Sequence, residues 1–151
     1  MNQEELFMKE ALKEAKKAYK KKEVPVGAII VKNGEIIARG YNQREIKKDS
    51  TMHAEISAIR KANKKLEAWR LNDCEMYVTL EPCPMCAGAI INSRIKKIYI
   101  GALDEKNGAC GSVSNILEEY TQNYKVEYES GIIKYQCEKI LKDFFKELRN
   151  R

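Results

Sequence analysis

Between residues 4 and 22, the apolar residues Leu6, Phe7, Ala11, Leu12, Ala15, Ala18 and Tyr19 recur at three- and four-residue steps. That spacing predicts an amphipathic helix lying on a sheet, with Pro25 and Gly27 expected to end it. GAIIVKNGEIIARGY (27–41) reads as two strands about Asn33–Gly34, the strongest short hairpin signal. A polar loop over 42–50 precedes a predicted helix over 53–65, a strand over 74–80, a short helix over 83–92 and a strand over 96–101. The glycine-rich GALDEKNGACGS (101–112), a short helix over 115–119, a strand-like 125–130 and a helix over 135–149 complete the chain. From the second strand the order is strand, helix, strand, helix, strand. This predicts an α/β fold with neighbouring parallel strands and helices packed across them.

Composition narrows the setting. A chain of 151 residues without repeats or linkers suits one domain, 1–151. No apolar run approaches the roughly 20 residues of a membrane helix, and the charged N-terminus lacks a secretory signal's apolar core. The expected address is cytoplasmic, with no membrane partner. An odd count of five cysteines fits reduced thiols or metal ligands better than a disulfide framework. The net charge of +6 suits a polyanionic partner, but glutamates interleave with the lysines of both terminal helices, so a solubilising surface is the alternative.

Two tracts carry candidate chemistry. TMHAEIS (51–57) holds the only histidine, His53, and LEPCPMC (80–86) holds Cys83 and Cys86. Both lie where the chain turns into a helix. Residues three apart share a helix face, so both sulfurs can meet one ion, whereas His53 and Glu55, two apart, diverge. His53 can then be the third ligand, with Glu55 beside it. Two thiolates and an imidazole match zinc, and the positive helix N-termini favour the thiolates. Cys74, Cys110 and Cys137 stand in no paired motif. The fourth position is therefore expected to hold water, which zinc acidifies to hydroxide near neutral pH while Glu55 shuttles its proton. A lone Cys-x-x-Cys could instead be a redox pair or two core thiols.

Histidine, one residue, glutamate, then Pro-Cys-x-x-Cys after a strand is the known signature of zinc deaminases. Beyond it, EVPVGAIIV (23–31), YVTLEPCPMCAGAI (77–90), SRI (93–95), GALDEKNGACGS and DFFKELR (143–149) resemble the bacterial tRNA adenosine deaminases over nearly the whole chain. Met52 and Cys110 depart from that pattern, standing where smaller residues are usual. The resemblance implies the cytidine deaminase-like fold, a three-layer α/β/α sandwich around a mixed sheet of about five strands. It also implies a homodimer, one zinc per subunit held by His53, Cys83 and Cys86, and catalysis by Glu55. The implied reaction is hydrolysis of the wobble adenosine of an arginine tRNA to inosine in the anticodon stem-loop. Val26, Asn42 and the Ala54 N–H would contact the base, and Asp104, Lys106, Phe145 and Arg149 the anticodon loop. Phe145 as core and Lys106 as merely solvated are the plainer alternatives. A deaminase of free guanine or cytidine, and a non-catalytic RNA-binding subunit with structural zinc, are the competing functions.

Overall fold

The computed structural model describes residues 1–120 and 124–150. Helix α1 (Gln3–Lys20) opens with a capping box in which Asn2 and Glu5 exchange hydrogen bonds. It stops at Lys20, before Pro25. Lys22 adopts φ 64°, and the N–H groups of Lys22 and Glu23 donate to the carbonyls of Tyr19 and Ala18. This left-handed cap, and not the expected Pro25 and Gly27, ends the helix.

Strands β1 (Gly27–Lys32) and β2 (Glu35–Tyr41) form the predicted antiparallel hairpin, with Asn33 at φ 52° and Gly34 at φ 77° in its turn. The loop expected over 42–50 contains a four-residue helix, α2 (Arg44–Lys47). Next come α3 (Ala54–Leu66), β3 (Cys74–Leu80), α4 (Pro84–Asn92), β4 (Lys97–Ala102), α5 (Ile116–Glu119), β5 (Glu127–Ser130) and α6 (Lys134–Arg149). Among the described residues the strands make one mixed five-stranded sheet, ordered β2-β1-β3-β4-β5.

The expected neighbouring parallel strands begin only at β3. β1 lies between β2 and β3, antiparallel to both, so β2 shares the direction of β3 without touching it. A hairpin turn sets the pairing of its two strands but not which one joins the rest of the sheet. β1 takes the inner place because Ala28, Ile29, Ile30 and Val31 are apolar toward both faces, whereas β2 keeps exposed and half-buried positions.

Alternation along the strands divides the core. Ala28, Ile30, Met76, Val78, Ile98 and Ile100 pack beneath α3, α4 and α5, while Ile29, Val31, Tyr77 and Tyr99 pack beneath α1 and α6. The result is the α/β/α sandwich. A side chain at Gly40 would lie 2.5 Å from the Ala54 carbonyl, so the missing Cβ lets the start of α3 sit directly on β2.

One buried charge ties α1 to the sheet. Glu14, its side chain 3% exposed, accepts from Lys17 at 2.9 Å and from Arg39 of β2 at 3.3 Å, and Arg39 also donates to Glu10 at 2.7 Å. Replacing Arg39 with Met is expected to lower the free energy of unfolding by about 1–2 kcal/mol at neutral pH, read by urea denaturation. Hydrogen bonds from Lys13 and Arg39 hold the Glu10 carboxyl below its usual 4.5. Its stabilisation is therefore complete above that value and is lost as pH falls through the lower, folded one. The gap between variant and wild type should narrow on acidification below about pH 4.5.

Candidate active site

β2, β3 and β4 all point the same way, so their carboxyl ends lie along one edge of the sheet, where open α/β sheets place their clefts. A cleft of about 380 Å³ opens there. Val24 and Val26 reach it from before β1, Asn42 and Arg44 from after β2, and Glu81, Cys83 and Pro84 from after β3. Asp104 and Asn107 enter from the loop after β4, and His53, Ala54 and Glu55 from the start of α3.

Two helix starts converge in this cleft. His53 is the N-cap of α3 and Cys83 the N-cap of α4, both in extended backbone and neither capping its helix through a side-chain hydrogen bond. Pro84 occupies the first turn of α4, where its missing N–H costs nothing. Cys86, one turn into α4, is fully buried behind the cleft. The His53 Nδ1 atom lies 3.6 Å from the Cys83 sulfur and 3.5 Å from the Cys86 sulfur. All three donor atoms fall within 4.8 Å of one another, and this His/Cys/Cys set can hold a metal ion.

Contacts within the cluster push its titrating groups in opposite directions. The hydrogen bond from the Cys86 thiol, with help from His53, pushes the Cys83 thiol down to about 4. The same bond and burial drive Cys86 upward. His53 is raised by its hydrogen bond to Cys83 and by the charge of Glu55. Burial lifts the Glu55 carboxyl to about 7, against the lowering influence of its own backbone N–H and of His53. A carboxyl poised there can both accept and release a proton near neutral pH.

The cleft brings together seven of the eleven residues expected at the site: Val26, Asn42, His53, Ala54, Glu55, Cys83 and Asp104, with Cys86 immediately behind. Lys106 is exposed on the loop after β4, and Phe145 and Arg149 are exposed on α6, outside the cleft wall. The buried phenylalanine of that tail is Phe144, which leaves Phe145 out of the core. Tyr19, on the last turn of α1, donates its hydroxyl to Glu147 and packs edge-on against Phe144. Because α1 leads directly to Val24 and Val26, these contacts carry the end of α6 toward the cleft's edge of the sheet.

A family model described as MafB19-like deaminase matches residues 1–149. The chain is 52% identical over 151 residues to the tRNA-specific adenosine deaminase of Bacillus subtilis, covering all of this chain and 94% of that protein. The chain belongs to the MafB19-like deaminase family and to the tRNA-specific adenosine deaminases. A solved structure from a study of A-to-I editing by tRNA A34 deaminases superposes with a TM-score of 0.87 at 42% identity, over 90% of this chain and 99% of that one. The sandwich is thus cytidine deaminase-like. Guanine deaminase of Bacillus subtilis is more distant, with a TM-score of 0.65 at 33% identity over the whole of this chain and 96% of that one.

In this deaminase two carboxylates that sequence reasoning passed over shape the cleft. Glu23, 1% exposed, accepts from the N–H groups of Glu45 and Ile46 at 3.0 and 2.7 Å and so holds α2. Glu81, 2% exposed, accepts from three N–H groups of the loop after β4. Their signal is their position in EVPV and LEPC, but a lone glutamate says nothing of which backbone it meets. Arg44 on α2 and Asn107 on the loop after β4 likewise join the site only through the placement of their segments.

Loading the metal-free deaminase with cobalt(II) should produce sulfur-to-cobalt charge-transfer absorption. Cys83→Ser and Cys86→Ser are each expected to diminish it; an unchanged spectrum in either variant would remove that sulfur from the ligand set.

Proposed function

We propose that this deaminase converts the wobble adenosine of an arginine tRNA anticodon loop to inosine, within a single domain spanning 1–151. The observation that carries the reading is Glu55, buried yet lining an open cleft beside the His53, Cys83 and Cys86 donors. The greater likeness to a tRNA-specific adenosine deaminase than to a guanine deaminase favours a tRNA adenosine over a free base.

Zinc is the metal we assign. With zinc–sulfur bonds near 2.3 Å and zinc–nitrogen bonds near 2.0–2.1 Å, a tetrahedral ion needs nitrogen–sulfur edges of about 3.5–3.6 Å. The observed separations are 3.6 and 3.5 Å. A zinc ion held by these residues supplies the Lewis acidity that makes water a nucleophile near neutral pH.

Glu55 takes one proton from the attacking water and delivers it to the adenine ring as the C6–O bond forms. A second transfer through the same carboxylate protonates the amino group as the C6–N bond breaks. The two protons of water end on the ring nitrogen and on ammonia, leaving inosine.

Val26 packs against the base, and the Ala54 N–H, in the first turn of α3, is among the donors a helix leaves without an internal acceptor. The Asn42 side chain donates to the Val24 carbonyl and accepts from the Arg44 N–H, both at 3.2 Å. Its second amide hydrogen and second lone pair remain for a purine edge. Asp104, Lys106, Phe145 and Arg149 meet the rest of the loop, and the positive surface meets its phosphates. An unpaired loop base enters such a cleft more cheaply than one flipped from a duplex.

A homodimer is supported by α4, which carries no charged residue and exposes or half-exposes Met85, Gly88, Ala89 and Asn92 at helical spacing. An uncharged helix face of this kind suits burial against a second copy. The free thiols and the tRNA substrate favour a cytoplasmic address.

Zinc-loaded protein is expected to form inosine in a tRNA-Arg anticodon hairpin, detected by mass spectrometry, and to leave free guanine and cytidine unchanged. The reverse pattern would overturn the substrate. Glu55→Gln should retain zinc and hairpin binding while kcat falls by about 10²–10⁴-fold. For the dimer, Ala89→Arg is expected to halve the mass measured by light scattering; a wild-type chain that is already monomeric rejects it.

A further inference from the structure

The loop of residues 103–112 contributes Asp104 and Asn107 to the cleft wall, yet Leu103, Glu105, Lys106 and Asn107 are themselves exposed. Its shape is organised around one buried carboxylate. One Glu81 oxygen accepts from the Asp104 N–H at 2.9 Å, and the other accepts from the Cys110 N–H at 2.9 Å and the Ser112 N–H at 3.0 Å. These three donors bracket the loop at its beginning and its end. The loop adds its own closures: the Asp104 carboxylate accepts from the N–H groups of Lys106 and Asn107, and the Ser112 hydroxyl donates to the Asp104 carbonyl at 2.8 Å. The backbone must come very close for this to work. A Cβ on Gly108 would stand 2.3 Å from a Glu81 carboxylate oxygen and 2.2 Å from the Ser112 hydroxyl.

Glu81 also follows the last residue of β3 and precedes Pro82 and Cys83, and the Ala109 N–H donates to the Pro82 carbonyl at 2.9 Å. The same turn of chain thus delivers Cys83, a metal-ligand candidate, to the cleft and holds the adjacent loop after β4 through the side chain of Glu81.

We infer that Glu81 is a positioning residue for the RNA substrate, holding Asp104 and Asn107 in the wall that the anticodon loop meets. This rests on the proposed tRNA reading. It assigns Glu81 to substrate placement and leaves the proton transfers to Glu55. A glutamine at 81 keeps the size of the side chain but sets an amide NH₂ against backbone N–H donors on one side, so at least one bracket of the loop is lost.

The test compares zinc-loaded wild type with Glu81→Gln and, separately, Gly108→Ala, which disturbs the same contact from the loop side. Amide hydrogen exchange should quicken by about tenfold or more at Asp104, Cys110 and Ser112 in both variants, with α3 and α4 unchanged. On a tRNA-Arg anticodon hairpin, KM should rise by about tenfold with kcat within about twofold of wild type, and zinc should remain at the wild-type ratio. Unchanged exchange at the three amides, loss of zinc, or a fall in kcat without a rise in KM would each overturn the assignment. Should wild type form no inosine, the tRNA reading fails, and the exchange comparison still decides whether the carboxylate holds the loop.

Discussion

Everything at the site depends on the meeting of two helix starts whose capping positions are occupied by metal-ligand candidates. An N-cap normally spends its side chain on the free N–H groups of its own first turn. His53 and Cys83 make no such side-chain bond, and the His53 Nδ1 atom lies 3.6 Å from the Cys83 sulfur. Both helix starts lack a side-chain cap, and the two N-terminal turns bring their partial positive charge to the same cleft. For this meeting to occur, α3 must press on β2 at Gly40 and α4 must leave β3 through Pro82 and Pro84, and both requirements are written into short local tracts.

Because those tracts are local, the heart of the site is legible in the amino-acid sequence. The donors lie in two motifs of a few residues: helix spacing brings Cys83 and Cys86 to one face, and the zinc deaminase signature joins His53 to them. Strand placement is legible where alternation and the Asn33–Gly34 turn speak clearly, but the order of strands is not. Periodicity reports which face is apolar and is silent about lateral neighbours, so the insertion of β1 between β2 and β3 emerges only in the folded sheet. Helix phase fails in a similar way at the start of α1. Leu6 is exposed while Met8 is fully buried, because three consecutive apolar residues leave the face undecided until the sheet selects one. Glu23 and Glu81 are beyond the reach of pattern for a different reason. A buried acid is explained by its partners, and here those partners are backbone N–H groups far along the chain that any residue except proline would supply.

The cleft therefore combines parts held in two distinct ways. The metal-ligand candidates and Glu55 stand on helices anchored in the apolar core, where displacement would disturb many packed neighbours at once. Two other parts of the wall, α2 and the loop after β4, are gripped chiefly by polar contacts to single carboxylates. Chemistry needs positional precision, and the first arrangement provides it. Recognition of a large, irregular RNA needs reach and shape, which exposed walls offer.

The helix α2 shows what such mounting permits. None of its four residues is buried, and Glu23 meets it through main-chain N–H groups that every residue other than proline possesses. Its side chains are accordingly free to vary without disturbing the interior. Arg44 is the residue through which this segment reaches the cleft, so a change there alters the wall and leaves the mounting of the reactive centre untouched.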